Sequence, residues 1–593
     1  MAASVLRLAL RLQCTRRFYP VTVAPGYQGI HHTQNRTLSL GKAVLYSDAV
    51  ASSSEPAVRE NEEREPSPSS VFFKELKTLE TMEEVLAKAS QHELSGNEAS
   101  VTINALRYVS KNNLEENLVQ DIRFKDLSAV ISRTVKSLSN ESLTSTLSSA
   151  LHLQAQDDLI LTLEGECRRR LRLLPIRYLA VIISNDILLS KRAETKALVT
   201  EAARVLELRW REIESPQLVR RLLPAAARIS RPLLERVEDK TLEMLDQYSF
   251  QEIAGLTKSL ASTKTRSLPI LRAVSYQLME QRSYWEVTQI LGIMRALTTL
   301  GFHNPALYQE FAAHIQEQLP DIPLSVICDV AKTYAIARIE AVSLFESIHS
   351  IVASSLDKLS ILDVKRILFA YGQLCFKPSD TKGFFDQIGN FLSTQLDGLS
   401  LLDKIDLVHS LAVLGHVPSS LLENTLQFGD ASQEQDGLQS THKLKLIQIN
   451  THAKLEAQSY QGPTLTPDLH PFPSDHKIFT TTLHRSVLNV LTSDLREKFA
   501  VEEKVKTSLG YVLDAEISSL EGGSEQKMAV VTFGPPCYIY STRQLIGRIE
   551  MMLRHLKQSG YKVLEVSYHD WYPLRSSAQQ IKYLEEKLSE MLK

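Results

Sequence analysis

Apolar residues recur along the middle of the chain with a period that stacked helix pairs satisfy. They stand at i, i+3 and i+7, successive sets begin 34 to 40 residues apart, and LSILDVKRILFAY (359–371) aligns directly with LSLLDKIDLVHSL (399–411). The spacing indicates one face of an α-helix, and a two-helix repeat of this length is typical of an α-solenoid. Because one pair cannot bury its apolar face alone, neighbouring pairs must stack and present an extended surface. We therefore predict a mostly α fold, with a helical repeat array over residues 71–363.

Charge indicates which extended partner such an array binds, since solenoids bind either protein or single-stranded RNA. The whole chain is nearly neutral, with 67 Lys and Arg against 69 Asp and Glu, but residues 168–231 contain fifteen basic and six acidic side chains. A local excess of this kind can follow a phosphate backbone. Alternatively, these are solvated helix faces with i,i+4 partners such as Glu207 and Arg211. We favour RNA contact, and the candidate residues are Arg168, Arg169, Arg170, Arg220 and Arg221.

The N-terminus has the composition of a mitochondrial transit peptide. No acidic residue precedes Asp48, and on a helical wheel Arg7 and Arg11 share one face opposite Val5, Leu8 and Leu12. We predict a presequence over residues 1–47 that directs the chain to the mitochondrial matrix, although an incidental tail is the alternative. Residues 48–70 are rich in Ser, Glu and Pro, which predicts a disordered linker. No apolar run reaches the roughly 18 residues of a membrane helix, so we expect no membrane insertion.

The last part of the chain changes from helical periodicity to a mixed pattern. A helical stretch near residues 483–508 is followed by three predicted strands at 511–520, 527–534 and 561–568. A helix over 543–560 and a closing helix over 577–592 accompany the strands. The pattern predicts a small C-terminal α/β domain after the array. The five cysteines have no paired spacing and the histidines show no HxxH or HExxH motif, so we predict no metal and no cofactor.

Three segments of this C-terminal region resemble the FAST kinase domain family, in which two FAST modules precede a RAP domain. They are DVKRILFAYGQLCFKPSDTKGFF with LDKIDLVHSLAVLG, then LKLIQINTHAKLEAQSYQGPTL, then LIGRIEMMLRHLKQSGYKVLEVSYHDW. The early segment TMEEVLAKASQHELSGNEASV (81–101) is also similar to one subtype of this family. The resemblance implies FAST modules over 364–430 and 441–525 and a RAP domain over 526–588. It also implies post-transcriptional work on single-stranded mitochondrial RNA: mRNA stability, processing of transcript ends and support of translation, with other RNA-processing proteins as further partners.

Catalysis is not expected from these residues. The chain has no GxGxxG, HRD or DFG motif, so the family's name does not imply kinase activity here. The RAP domain resembles the restriction-endonuclease-like fold, in which acids from two strands and a lysine surround a metal ion. Asp514 stands where the first acid would be, but Val531 and Phe533 occupy the places of an acidic pair. We therefore regard Asp514 as a vestigial acid and predict no catalytic residue. A metal-dependent RNase whose missing acid comes from elsewhere, or a protein-interaction scaffold, are the alternative functions.

The RAP domain can still bind RNA, because aromatic rings stack on unpaired bases and basic groups contact phosphate. The candidates in this domain are Tyr538, Tyr540, Arg543, Arg548, Trp571 and Tyr572. Arg554, His555 and Lys557 lie on the same predicted helix, where Arg554 and Lys557 alternatively cap its C-terminal end. Core packing is the alternative for Trp571.

Overall fold

The computed structural model covers the array and the C-terminal domain. It describes Phe72, Leu76 and residues 78–592, apart from residues 92, 111–117, 185–192, 282–284, 396–397, 430–437, 458, 466–471, 476–477, 479, 520–527 and 541. The predicted presequence and linker, and the predicted turn after residue 520, lie outside the described residues. Among the residues described, no helix is both long enough and apolar enough to span a bilayer.

The chain divides into two compact units at Ala273 and Val274, and helix α11 (Leu268–Glu280) contains the boundary. In the first unit the helices form two layers. Each helix packs on the next but one along the chain, so odd-numbered helices lie in one layer and even-numbered helices in the other. They are α1 (Met82–Ala89), α2 (Gly96–Val109), α3 (Ile122–Thr134), α4 (Asn140–His152), α5 (Asp157–Arg170), α6 (Ile176–Ile183), α7 (Ala193–Leu208), α8 (Pro216–Ile229), α9 (Arg231–Met244) and α10 (Phe250–Ser262).

The second unit begins with the same paired arrangement. One layer consists of α12 (Val287–Thr299), α14 (Leu324–Ala337), α16 (Ile361–Gln373), α18 (Leu401–Leu414) and α20 (Ser440–Leu455), each packed on the next. The other helices are α13 (Pro305–Gln318), α15 (Val342–Ser354), α17 (Thr381–Ser393) and α19 (Ser419–Gly429). The predicted mostly α fold of paired helices is therefore confirmed.

Two local signals explain why each repeat begins and packs as it does. The apolar positions that defined the period are buried: Ile253, Leu256 and Leu260 are fully shielded from solvent. A polar residue caps many of the helices, and at α10 the Ser249 hydroxyl accepts from the Glu252 N–H while the Glu252 carboxylate accepts from the Ser249 N–H. Such a capping box satisfies backbone donors at the first turn and fixes where the helix starts.

A four-stranded sheet follows the helices of the second unit. The strands β1 (Phe499–Glu503), β2 (Ala515–Ser519), β3 (Met528–Phe533) and β4 (Lys562–Ser567) lie in sequence order. The first three are antiparallel, and β3 and β4 are parallel because helix α22 (Gly547–Gln558) crosses between them. Helices α21 (Thr482–Asn489), α23 (Tyr568–Trp571) and α24 (Ser577–Leu592) complete the α/β domain.

The predicted helix near residues 483–508 is wrong in its second half. Helix α21 ends at Asn489, continues as a π-helical turn over Val490–Asp494, and gives way to the edge strand β1. Only Phe499 of that strand is fully buried, and its solvent side carries Glu502 and Glu503. A charged edge strand buries few residues, so its sequence lacks the apolar alternation that identifies a strand.

Helix α22 fixes the α/β domain against the array helices of the same unit. It packs on α16, α18 and α20. The approach is closest at Gly547, where an added Cβ would lie 1.9 Å from the Gly372 carbonyl oxygen. Arg554 also joins the two parts, because its guanidinium donates to the carbonyl groups of Ala412 and Val413 at the end of α18. Arg554 therefore caps a different helix from the one predicted, while Lys557 pairs with Glu565 at 2.9 Å.

Candidate nucleic-acid interface

The carboxyl-terminal ends of β3 and β4 meet at one edge of the sheet. In open α/β sheets this edge is where ligands usually bind. Several rings gather there: the centroids of Tyr568 and His569 are 3.9 Å apart, and Tyr538 contacts both in edge-to-face geometry. The Tyr572 ring follows at 6.2 Å from Tyr568. We call the surface formed by Arg543, Arg548, Tyr568, His569 and Tyr572 the sheet-edge surface.

Exposure separates the predicted residues of this domain into two groups. Arg543 is 77 % exposed, with its guanidinium 3.8 Å from Asp570, and Tyr572 is 54 % exposed, with its hydroxyl 3.3 Å from the Thr482 hydroxyl. Arg548 is also exposed. These three side chains are accessible to an RNA strand.

Trp571 and Tyr538 are not available for base stacking, which corrects the sequence prediction. Trp571 is 1 % exposed, packs in the core of the domain, and its indole N–H donates to the Ser486 hydroxyl at 3.1 Å. Tyr538 is 7 % exposed and its hydroxyl donates to Ser567 at 2.7 Å. Both bury an aromatic ring and satisfy its polar group, as expected for structural residues.

Tyr540 is half-buried and is held by array residues of the same unit. Its ring lies 4.1 Å from the His303 ring and 4.9 Å from the Arg338 guanidinium, and its N–H donates to the Arg338 carbonyl. The Arg338 guanidinium also donates to the carbonyl groups of Pro535 and Tyr538. Burial lowers the pKa of Arg338, yet an arginine remains charged at neutral pH. The role of Arg338 could not be predicted from the sequence, because no local pattern connects the end of helix α14 with a loop two hundred residues later.

Asp514 occupies the same edge of the sheet, and both of its carboxylate oxygens have partners. One oxygen lies 2.7 Å from Nδ1 of the buried His484, and the other accepts from the Thr532 N–H. Val531 and Phe533 are buried in the apolar core on either side of Thr532. The aspartate therefore ties helix α21 to strand β3, which is a structural role.

The first unit contains the basic stretch, and three of its predicted contacts are ion-paired. Arg168 bonds Glu201, while Arg169 and Arg170 both bond the nearly buried Glu166. Arg170 is only 14 % exposed and donates to the carbonyl groups of Val135, Lys136 and Leu138. Arg170 thus holds the connection between α3 and α4, and it is not free to meet a phosphate.

Arg220 and Arg221 differ from that group because they form a cluster of like charges. Both are exposed on helix α8, and among the residues described neither has a carboxylate partner. Although the Arg221 side chain is exposed, partial desolvation by surrounding protein atoms lowers its pKa, and the charge of Arg220 lowers it further. Arg107 on helix α2 has its pKa lowered by burial and by the charge of Arg221. We call Arg107, Arg220 and Arg221 the arginine cluster. Positive charges that influence one another in this way favour a bound anion.

Three protein-family models match parts of the second unit. The model of FAST kinase-like protein subdomain 1 matches residues 364–428, that of subdomain 2 matches 443–518, and that of the RAP domain matches 530–587. The single sheet therefore takes β1 and most of β2 from the second FAST match, and β3 and β4 lie in or next to the RAP match.

Several relatives are similar to this chain over most of its length. FAST kinase domain-containing protein 4 is 28 % identical in Rattus norvegicus and 26 % identical in Homo sapiens, each over 84 % of both chains. FAST kinase domain-containing protein 3, mitochondrial, of Homo sapiens is 22 % identical over 88 % of this chain and 84 % of its own. The likeness to protein 4 agrees with the subtype indicated by residues 81–101. The chain therefore contains both FAST kinase-like subdomains followed by a RAP domain, and it is similar to FAST kinase domain-containing proteins over most of its length.

Proposed function

We propose that this chain is an RNA-binding protein of the mitochondrial matrix that acts in post-transcriptional control without catalysing a reaction itself. The sheet-edge surface is the observation that carries the proposal. Its exposed Tyr572 can stack on an unpaired base while the exposed Arg543 and Arg548 meet phosphate groups. The arginine cluster of the first unit offers further phosphate contacts.

The mitochondrial part of the proposal rests on two supports. The N-terminal 47 residues lack acids and place Arg7 and Arg11 on one helical face. Relatives such as FAST kinase domain-containing protein 3 and protein 2 carry the word mitochondrial in their names. We infer that transcript stability, end processing and support of translation are the processes served, as the family resemblance implies.

The non-catalytic part is supported by Asp514. A two-acid nuclease centre needs carboxylates from two neighbouring strands around one metal ion. Here the oxygens of Asp514 contact His484 and the Thr532 N–H, and buried Val531 and Phe533 flank the latter. If the chain were instead a metal-dependent RNase, Asp514→Asn would abolish Mg²⁺-dependent cleavage of single-stranded RNA by the purified protein. We expect no cleavage by either the unmodified chain or this variant.

RNA binding is tested by titrating single-stranded RNA at several salt concentrations. Each lost phosphate contact should lower the slope of log affinity against log salt by roughly 0.7, so losing both contacts in Arg543→Gln with Arg548→Gln should lower it by about 1.4. Tyr572→Ala should leave the slope unchanged and weaken binding by roughly 1–3 kcal/mol if the ring stacks on one base.

A matched control is Arg231→Gln, because Arg231 is 88 % exposed but already bonded to Glu235. We expect it to change neither the affinity nor the slope. Unaltered RNA binding by both the arginine pair and the tyrosine variant, with normal melting curves, would remove the sheet-edge surface as the interface. Binding of a protein ligand with no measurable RNA affinity would favour the scaffold alternative.

A further inference from the structure

Three side chains with metal-ligand chemistry meet inside the second unit, where helix α20 faces helix α22. The His452 and His555 imidazoles and the Glu456 carboxylate each offer one atom, and these atoms lie within 4.8 Å of one another. The side chains of His452 and Glu456 are 4 % and 11 % exposed, and His555 is fully buried. His452 and Glu456 are four residues apart, so the end of one helix presents both on the same side. The third comes from the crossover helix of the RAP domain.

The two histidines direct ring nitrogens toward the same carboxylate. Nδ1 of His452 lies 2.9 Å from one oxygen of Glu456, and Nε2 of His555 lies 3.6 Å from the other. At 3.6 Å the second contact is too long for a hydrogen bond, and Nε2 of His555 is buried with no partner among the described residues. A buried imidazole nitrogen without a partner is costly, and a bound ion or water molecule would satisfy it.

The surroundings orient these groups as the outer shell of a metal site does. The Tyr511 hydroxyl lies 2.7 Å from Nδ1 of His555, which fixes the ring and leaves Nε2 directed at Glu456. The Arg554 guanidinium holds the Glu456 carboxylate through Nε and one terminal nitrogen, at 2.9 and 3.2 Å. Ligating histidines and carboxylates in metalloproteins are commonly held by such second contacts.

Charge and donor type indicate which ion would fit. Mg²⁺ and Ca²⁺ depend on several oxygen ligands, whereas only one of these three ligands is an oxygen. Arg554 also offsets the negative charge of Glu456, which disfavours these two ions further. Two imidazole nitrogens and one carboxylate oxygen suit zinc and its neighbours instead.

We propose that His452, Glu456 and His555 form a binding site for a divalent transition-metal ion of the zinc class, which joins the second FAST subdomain to the RAP domain. The site is separate from the sheet-edge surface, and it does not depend on the proposed RNA binding. The short motifs typical of metal sites are absent from the sequence because the third ligand comes from a distant segment, so no metal was predicted.

The test uses the full chain, stripped of metal with a chelator and then titrated with Co²⁺ and with Zn²⁺. We expect one Co²⁺ per chain with a visible absorption band of low-symmetry nitrogen and oxygen ligation, and a rise of the melting temperature by several degrees at saturating Zn²⁺. His555→Gln should remove both signals. Tyr511→Phe, which retains the ring packing, should weaken binding by about 10- to 100-fold.

The matched control is His409→Gln, a neighbouring histidine whose Nε2 bonds Gln448 instead of the three ligands. It should leave the cobalt spectrum and the stoichiometry unchanged. Absence of bound Co²⁺ and of any Zn²⁺-dependent melting shift in the unmodified chain would overturn the proposal and leave a water molecule as the partner of His555. Equal metal binding by the unmodified chain, by Tyr511→Phe and by His555→Gln would overturn the proposal as well. If His555→Gln does not fold, Tyr511→Phe alone still decides the test.

Discussion

Glu166 gives the sharpest test of whether arginines in the basic stretch are structural. Its side chain is 5 % exposed and bonds both Arg169 and Arg170. The hydrogen bond from Arg169 outweighs burial and, with Arg170, lowers the pKa of Glu166 from 4.5 to about 2. A difference of that size corresponds to at most ~3 kcal/mol of stability. Because Arg169 is 64 % exposed and screened by solvent, we expect Glu166→Gln to cost ~1–2 kcal/mol at pH 7.

The pH dependence of this cost follows from the lowered pKa. A carboxyl group with a lowered folded-state pKa stabilises the fold above its unfolded value, and this stability is lost as the pH falls from about 4.5 toward 2. The difference between the unmodified chain and Glu166→Gln should therefore be constant near neutrality and shrink over that acidic range. Hydrogen exchange of helix α5, measured at several pH values with chemical denaturation beside it, reports the local free energy of opening.

The control for Glu166 is Glu201→Gln, which removes the partner of Arg168. Both members of that pair are 44 % exposed, so the pair contributes roughly 0–1 kcal/mol and its loss should scarcely change exchange in α5. Identical protection in the two variants at pH 7 would refute the reasoning. In that case Arg169 would again be a candidate for phosphate contact.

Three further predictions follow from other parts of the chain. Gly547→Ala places a methyl group against the Gly372 carbonyl, so it should destabilise the second unit by roughly 1–3 kcal/mol and raise hydrogen exchange in α22, and unchanged exchange would contradict the close packing. Trp571→Ala should lower stability by roughly 3–5 kcal/mol in denaturant titrations, whereas a cost near zero would show that the indole is not a core group. Residues 1–47 fused to a reporter should carry it into mitochondria, and Arg7→Glu with Arg11→Glu should stop import; import of the double variant at the normal level would refute the presequence.

The repeating helices were predictable because their signal is local. Each apolar set spans two turns, and the residues of that set, such as Val364, Ile367 and Tyr371, are buried. The crossover helix and the strands β3 and β4 were predictable for the same reason. The edge strand β1 was missed because it buries little beyond Phe499, so its sequence does not alternate as a half-buried strand does.

The candidate site was less predictable, because exposure is a property of the folded chain. Arg543, Arg548 and Tyr572 are accessible as predicted, whereas Trp571 and Tyr538 are core residues. Composition could not separate the two groups, since an aromatic residue after a strand suits both a stacking platform and a core. Likewise the charge count over 168–231 included Arg170, which is bound to carbonyl groups of a distant turn.

The sequence by itself determined the class of the fold, the domain order and the local basic excess, because helix periodicity, capping residues and charge are properties of neighbouring residues. Tertiary structure alone decided which of these side chains reach solvent and which distant ones meet. Arg338 reaches Tyr540, Arg554 reaches Glu456, and His555 reaches the same carboxylate only because helix α22 packs on the array. Contacts between residues far apart in sequence depend on how whole helices pack, and no short pattern in the chain encodes that packing.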